Sequence, residues 1–376
     1  MKRTFAIIAV LGMLAACTSD SQLPNPTGKG GVWAINGIPG SPFIQFRIEE
    51  RSIDGLTYKS ASTPELFDDF EYNFNFDIDV PGETEQRRIA TVPLQVEVGR
   101  EHVFAITGSI DDPVITTWTT DLREWDETET VFEARVAHLS TTLGDIDVFI
   151  QDPDDPLTPG GQVASLSAGE IMDFSDFDEG TYRISITAAG DVNVLHFQSG
   201  PITLNARSSN TISMFDGNEN DTGPYVLGLT TSAGQASRIP DPAYPPTVRF
   251  INAAQTLPAA DVYRDEALTD LVTTNILPGV PTADLEAAVE DTTDYFTPTG
   301  STATTLFSQN VGTTPAGSPT EVFIIGDTDS WNAINLAIDR ASASTIVKLG
   351  IYNGAFNNQL FDVYIKDRGE ELLEDD

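Results

Sequence analysis

The chain has 376 residues, a length for roughly two to four domains of ordinary size. Apolar residues make up 40%, enough to build cores, which argues against wholesale disorder. Twenty Lys and Arg stand against 57 Asp and Glu, a net charge of −37, with one cysteine and three histidines. That balance excludes nucleic acid as a natural partner, because phosphate binding needs clustered Lys and Arg. The cysteine count excludes a disulfide scaffold and a Cys-rich zinc protein.

Residues 1–16 read as a signal peptide. Lys2 and Arg3 form a basic start, and residues 5–16 (FAIIAVLGMLAA) follow as an apolar run. That run falls short of the roughly 20 residues a spanning helix needs. Residues 14–17 (LAAC) resemble a bacterial lipoprotein lipobox, which implies acylation of Cys17 as the new N-terminus. A lipid of this kind anchors a protein to a membrane without spanning it. The residue after the cysteine is Thr18 rather than Asp, so the resemblance implies the outer membrane. Residues 17–30, rich in Ser, Pro and Gly, read as a flexible tether.

Beyond the tether one pattern recurs: an apolar strand ending in a polar residue, a turn of small residues, then a second strand. The first copy runs through Val32, Trp33, Ala34, Ile35 and Asn36 to Gln45. The later copies end their first strands at His138, Asn252 and Asn353 and carry the second mark at Asp147, Asp261 and Asp362. In every copy the two marks are nine residues apart, and the copies start 102, 114 and 101 residues apart. Between them, Phe74, Phe76 and Ile78 alternate with polar residues, as do Val92, Leu94 and Val96, and Tyr182, Ile184 and Ile186. Period two marks half-buried strands. Residues 282–290 are the best short helical stretch, yet their place in the repeat favours strand or turn.

The reading is therefore all-β, with a β-sandwich at each of 31–120, 133–231 and 247–345. Linkers are expected at 121–132, which is acidic, and at 232–247, which holds four prolines, giving beads on a short rod. Residues 346–376 carry only the first two strands of a fourth copy. Two strands cannot bury a core. They either complete the third domain as edge strands or belong to a longer array.

The segments 248–265 (VRFINAAQTLPAADVYRD) and 134–152 (ARVAHLSTTLGDIDVFIQD) resemble the bacterial domain of unknown function 4397 (DUF4397) repeats. Residues 179–190 and 210–217 extend the likeness through the second unit, whereas the first unit departs from it at Gln45 and Arg47. The resemblance implies secreted or surface-attached, Ig-like or transthyretin-like domains in tandem. It supplies no catalytic residues.

Two sets of residues remain as sites. The recurring marks (Asn36, His138, Asn252 and Asn353; Gln45, Asp147, Asp261 and Asp362) read chiefly as turn holders, since Asn and Asp side chains bond turn backbone. A repeated acid-plus-aromatic ligand patch, built with Phe149, Tyr263 and Tyr364, is the sharper alternative. Asp216, Asn218, Asn220 and Asp221 space oxygen ligands as calcium prefers. Asp221 and Leu227, at the sixth and twelfth positions, exclude an EF-hand. No nucleophile elbow, zinc-protease, Walker or Rossmann motif is present in the sequence.

The expected function is a non-catalytic, lipid-anchored envelope protein. It presents its domains for binding, adhesion or spacing to a protein or glycan partner. A calcium-stiffened adhesin-like rod and a carboxylate-based glycan hydrolase are the alternatives.

Overall fold

The computed structural model describes residues 25–351, apart from 255, 329 and 344–348. Cys17, the signal peptide, Asn353, Asp362 and nearly all of the fourth copy lie outside the described residues. Within them the chain is all-β, a series of two-sheet sandwiches with one plan used three times.

The first repeat contains β1 (Lys29–Asn36), β2 (Ile44–Ile48), β3 (Arg51–Leu56), β4 (Glu65–Asp68), β5 (Glu71–Ile78), β6 (Arg87–Gln95), β7 (Arg100–Gly108) and β8 (Pro113–Asp121). One sheet has the order β4-β1-β7-β8 and the other β3-β2-β5-β6. The second repeat contains β9 (Val131–His138), β10 (Ile146–Gln151), β11 (Ala164–Leu166), β12 (Ser175–Asp178), β13 (Gly180–Ala188), β14 (Asp191–Gln198), β15 (Ile202–Leu204), β16 (Ser209–Asp216), β17 (Tyr225–Thr231) and β18 (Gly234–Ile239). Its sheets are β12-β9-β16-β17-β18 and β11-β10-β13-β14, with β15 added on β13. The third contains β19 (Thr247–Asn252), β20 (Ala260–Tyr263), β21 (Leu271–Ile276), β22 (Leu285–Glu286), β23 (Thr292–Pro298), β24 (Phe307–Gly312), β25 (Pro319–Ile325) and β26 (Asn332–Leu336). Its sheets are β22-β19-β25-β26 and β21-β20-β23-β24.

In each repeat the opening strand pairs parallel with a late strand: β1 with β7, β9 with β16, and β19 with β25. The pairing draws the start and end of a repeat into one sheet, closing the unit. The second strand always lies in the opposite sheet, so the recurring turn crosses from one layer to the other. Alternate side chains meet between the layers. Phe46, Phe76 and Phe104 do so in the first repeat, with Phe46 and Phe76 stacked at 5.1 Å. Val136, Ile186, Phe197 and Met214 fill the second core. Phe250, Val262 and Phe296 fill the third, where Phe296 stacks on Phe307 at 4.2 Å. Each such ring contributes about 1.5–3 kcal/mol by leaving water.

Two expectations about connections are corrected, and a third is refined. The tether ends early: Thr27 donates its backbone N–H to Asp69 Oδ1 at 2.7 Å, and β1 starts at Lys29. The stretch 232–247 is not all linker, because β18 pairs antiparallel with β17 as a fifth strand, leaving only the proline-bearing segment after Ile239 to connect. Residues 122–130 do form a strand-free connection, but it is pinned. Arg123 pairs with Glu129 at 2.9 Å and Glu133 at 3.3 Å, and its guanidinium lies 3.9 Å from the Trp125 ring centroid.

The rod of separate beads is corrected as well. Trp33, Ile35, Val103 and Ala105 point away from the first core and pack against Ala137, Leu139, Phe215 and Val226 of the second repeat. This shared layer explains why β1, β9 and β16 are buried on both faces. Arg135, itself buried, donates to Glu101 across the same boundary at 2.8 Å.

Candidate functional site at the junction of the repeats

The recurring polar marks within the described residues, Asn36, His138 and Asn252, hold turns. Asn36 accepts the Ile38 N–H at 3.0 Å and donates to Ser41 Oγ at 2.8 Å. Asn252 repeats this, accepting from Ala254 at 3.2 Å and donating to the Leu257 carbonyl at 3.3 Å. His138 takes the same place with a ring: Nε2 lies 3.0 Å from the Gly144 carbonyl, to which it must donate, while Nδ1 is buried without a partner.

Two of the second marks, Asp147 and Asp261, clamp a hairpin tip. Asp147 accepts the Gly190 N–H at 2.8 Å and the Ser165 hydroxyl. Asp261 accepts the Gly300 N–H at 2.8 Å and the Asn275 N–H at 2.8 Å. Both glycines have positive φ, 78° and 77°, where a side chain is strained. Gln45 serves only its own hairpin, donating to the Ser52 hydroxyl and to the Asp54 carbonyl at 3.1 Å. Phe149 and Tyr263 are buried, so these two acid-plus-aromatic pairs present no exposed patch; Asp362 and Tyr364 lie outside the described residues.

The acidic loop after β16 bonds to all three repeats. Its four calcium candidates do not converge on one point. Asp216 turns back into the second repeat, accepting from Thr141 N at 2.8 Å, Thr141 Oγ1 at 2.8 Å, Thr142 Oγ1 at 2.6 Å and the Ser140 hydroxyl. Burial pushes its carboxyl up, but these donors outweigh burial and hold it below the ordinary carboxylate range. Asp221, with a nearly buried side chain, instead pairs with Lys59 of the first repeat and with Arg238 of the second, the latter at 2.5 Å. Asn218 accepts from Lys59 at 3.0 Å. Asn220 reaches the third repeat's C-terminal side, donating to Asp339 at 2.7 Å and accepting the Arg340 N–H at 2.7 Å. Among the described residues no three His, Cys, Asp or Glu side chains gather into a metal-binding group.

Lys59 is set up by its loop. It is a non-glycine residue at φ 69°, a costly conformation that the surrounding contacts must impose. Its backbone N–H donates to the Asn36 carbonyl at 2.8 Å. Burial pushes its ammonium pKa down, and the paired Asp221 opposes that shift. Next to it, burial pushes the Tyr58 phenol up, as do Asp216 and Asp221. The phenol donates to the Asp216 carbonyl at 2.8 Å.

Around this hub lies a cleft of about 630 Å³ whose walls come from all three repeats and the segment after β26. Apolar wall is supplied by Tyr58, Phe215 and Val226, and polar wall by Lys59, Asn220 and Arg238. A second concavity, of about 650 Å³, shares Gly40, Asn218 and Ser342 with the first, so the two adjoin. At the mouth Phe43 is 49% exposed. The tip of its ring lies so close to Gly55 that any Cβ there would collide with it.

Reading along the chain misses Tyr58, Lys59 and Arg238, which matter only because three repeats converge. One signal was available: a strand apolar at successive positions, such as Val32, Trp33, Ala34 and Ile35, is covered on both faces. No family model matches the chain, and no curated protein matches it.

Proposed function

We infer that the chain is a non-catalytic, lipid-anchored protein of the bacterial cell envelope. It acts as a pre-set arm that holds its tandem β-sandwiches, and the groove between them, in one arrangement on a flexible tether to the membrane. One observation carries this reading: the repeats are fastened to one another by the apolar layer around Trp33 and Phe215 and by the Lys59–Asp221–Arg238 cluster. A series of independent binding modules has no need of such joints, whereas a spacer or presenting arm depends on them. The resemblance of residues 14–17 to a lipobox supplies the membrane end, at Cys17.

The test has two parts. Cells fed labelled palmitate should incorporate it into the full chain and not into Cys17→Ser. Protease added to intact cells, with an osmotically opened control, then tells a surface arm from a periplasmic one. An unlabelled chain recovered from the cytosol overturns the reading.

A further inference from the structure

We propose that the groove between the repeats is a binding site for a neutral oligosaccharide of about two to four sugar units. The inference deepens the reading of the molecule as a presenting arm, and rests on it, by naming what the arm holds. Three features of the groove lead to it.

The first is shape. Two concavities of about 630 and 650 Å³ share the lining residues Gly40, Asn218 and Ser342 and so lie side by side, with room for a ligand that reaches from one to the other. Each is within the range of a small-molecule site. A chain-like ligand reaches across both, and a compact one does not.

The second is the pairing of surfaces. Phe43 lines the concavity and is about half exposed, with the tip of its ring held close to Gly55. A pyranose has a face of polarised C–H groups, which packs on the negative face of an aromatic ring. Its rim of hydroxyls needs donors and acceptors in the same plane. Here amides, hydroxyls and ionised groups stand beside the apolar wall, among them Asn218, Asn220, Arg238 and Ser342. A lipid tail would leave those polar groups desolvated at a cost of about 1–3 kcal/mol each.

The third is charge. The ionised groups lining the two concavities are Lys59 and Arg238 against Asp221, Asp339 and Glu219, a slight acidic excess that disfavours an anion. The whole chain carries −37, a field that repels an anionic ligand. A cation meets Asp221 already paired on both oxygens, with Lys59 and Arg238. A neutral, hydroxyl-rich chain satisfies all three conditions.

The experiment is calorimetric titration of the full chain with cellotriose, maltotriose, laminaritriose, mannotriose and chitotriose, and with trigalacturonate as the acidic counterpart. The expected result is binding of at least one neutral trisaccharide. Kd should rise about tenfold or more in Phe43→Ala and be kept in Phe43→Trp. Phe43 is half exposed, so the melting temperature of Phe43→Ala should match the parent. No heat from any neutral sugar, binding indifferent to Phe43→Ala, or tighter binding of trigalacturonate overturns the proposal. The titration does not depend on palmitate labelling, so a missing anchor sinks the envelope reading without producing any of these three results.

Discussion

The joint between the first and second repeats is mainly a buried apolar layer, and the joint between the second and third is ionic and hydrogen bonded. In the first, Trp33, Ile35, Phe215 and Val226 are each at most 2% exposed. In the second, Arg238 donates to Ser318 Oγ at 2.5 Å and to the Gly317 carbonyl at 2.7 Å, and Thr222 donates to the same carbonyl at 2.9 Å. Apolar burial is non-directional and tolerates salt. A hydrogen-bonded joint fixes angle more than it adds free energy, since each neutral bond contributes a net of only about 1 kcal/mol. The comparison teaches that the first two repeats should behave as one cooperative block, with the third docked at a set angle.

Trp33→Ala should break that block most severely. The indole is fully enclosed at the joint, and its N–H is buried without a partner, so truncation loses packing and no hydrogen bond. A loss of about 3–5 kcal/mol is expected. Urea unfolding followed by segment-resolved hydrogen exchange should show the first two repeats separating into two transitions. If they still unfold together at the parental midpoint, the shared layer is not what couples them.

Asp221→Asn sharpens the other side. It leaves the buried ammonium of Lys59 and the guanidinium of Arg238 facing an amide, at a cost of about 3 kcal/mol. Arg238 in turn bonds Ser318 and Gly317, so small-angle scattering should report a wider distribution of angles for the third repeat, and the transition of the first two should also fall as Lys59 loses its partner. An unchanged scattering profile would show that the cluster does not set the angle.

The third repeat differs from its neighbours in one further way. Asp294, on β23, is 4% exposed, and burial pushes its carboxyl up to about 6, with Arg264 pulling weakly the other way. The folded value lies above the ordinary 3.8, so the linkage has a definite sign. The stabilising contribution of the protonated acid is complete below about pH 4 and is lost as pH rises through about 6. Asp294→Asn should therefore raise the stability of the third repeat by roughly 2–3 kcal/mol at pH 8 and change little at pH 4. Melting curves at the two pH values check this; equal gains at both would remove the carboxyl as the cause.

The all-β fold was legible because alternation and turn residues are local properties, written into segments such as 74–78 and 182–186. The polar marks were legible for the same reason: Asn252 acts on residues within six positions of itself. The junction was not. Lys59 and Asp221 are 162 residues apart, and nothing near either one names the other. The loop at 216–221 looked like a cation site because it gathers carboxylate and amide oxygens, and the structure brings cations to it from Lys59 and Arg238. The edge strand β18 was hidden by the prolines that follow it, which made the whole stretch read as a linker.

The smallest expected effect compares the repeats at one equivalent position. Asp147 and Asp261 each accept a backbone N–H from a glycine at the tip of the next hairpin, tying two parts of one sheet together. Gln45 makes no such bond and reaches only across its own hairpin. Removing a charged acceptor strands two donors: the Gly300 and Asn275 N–H groups for Asp261, and the Gly190 N–H and Ser165 hydroxyl for Asp147. Asp261→Ala should therefore cost about 1.5–3 kcal/mol, and Gln45→Ala, which removes a neutral donor from a solvent-accessible position, about 0.5–1 kcal/mol. Amide exchange at Gly300 should speed up in the first variant, whereas exchange at Gly82 should not change in the second. Equal costs at the two positions would mean that the aspartate works through its own strand alone, and that tip-holding is not what distinguishes the later repeats from the first.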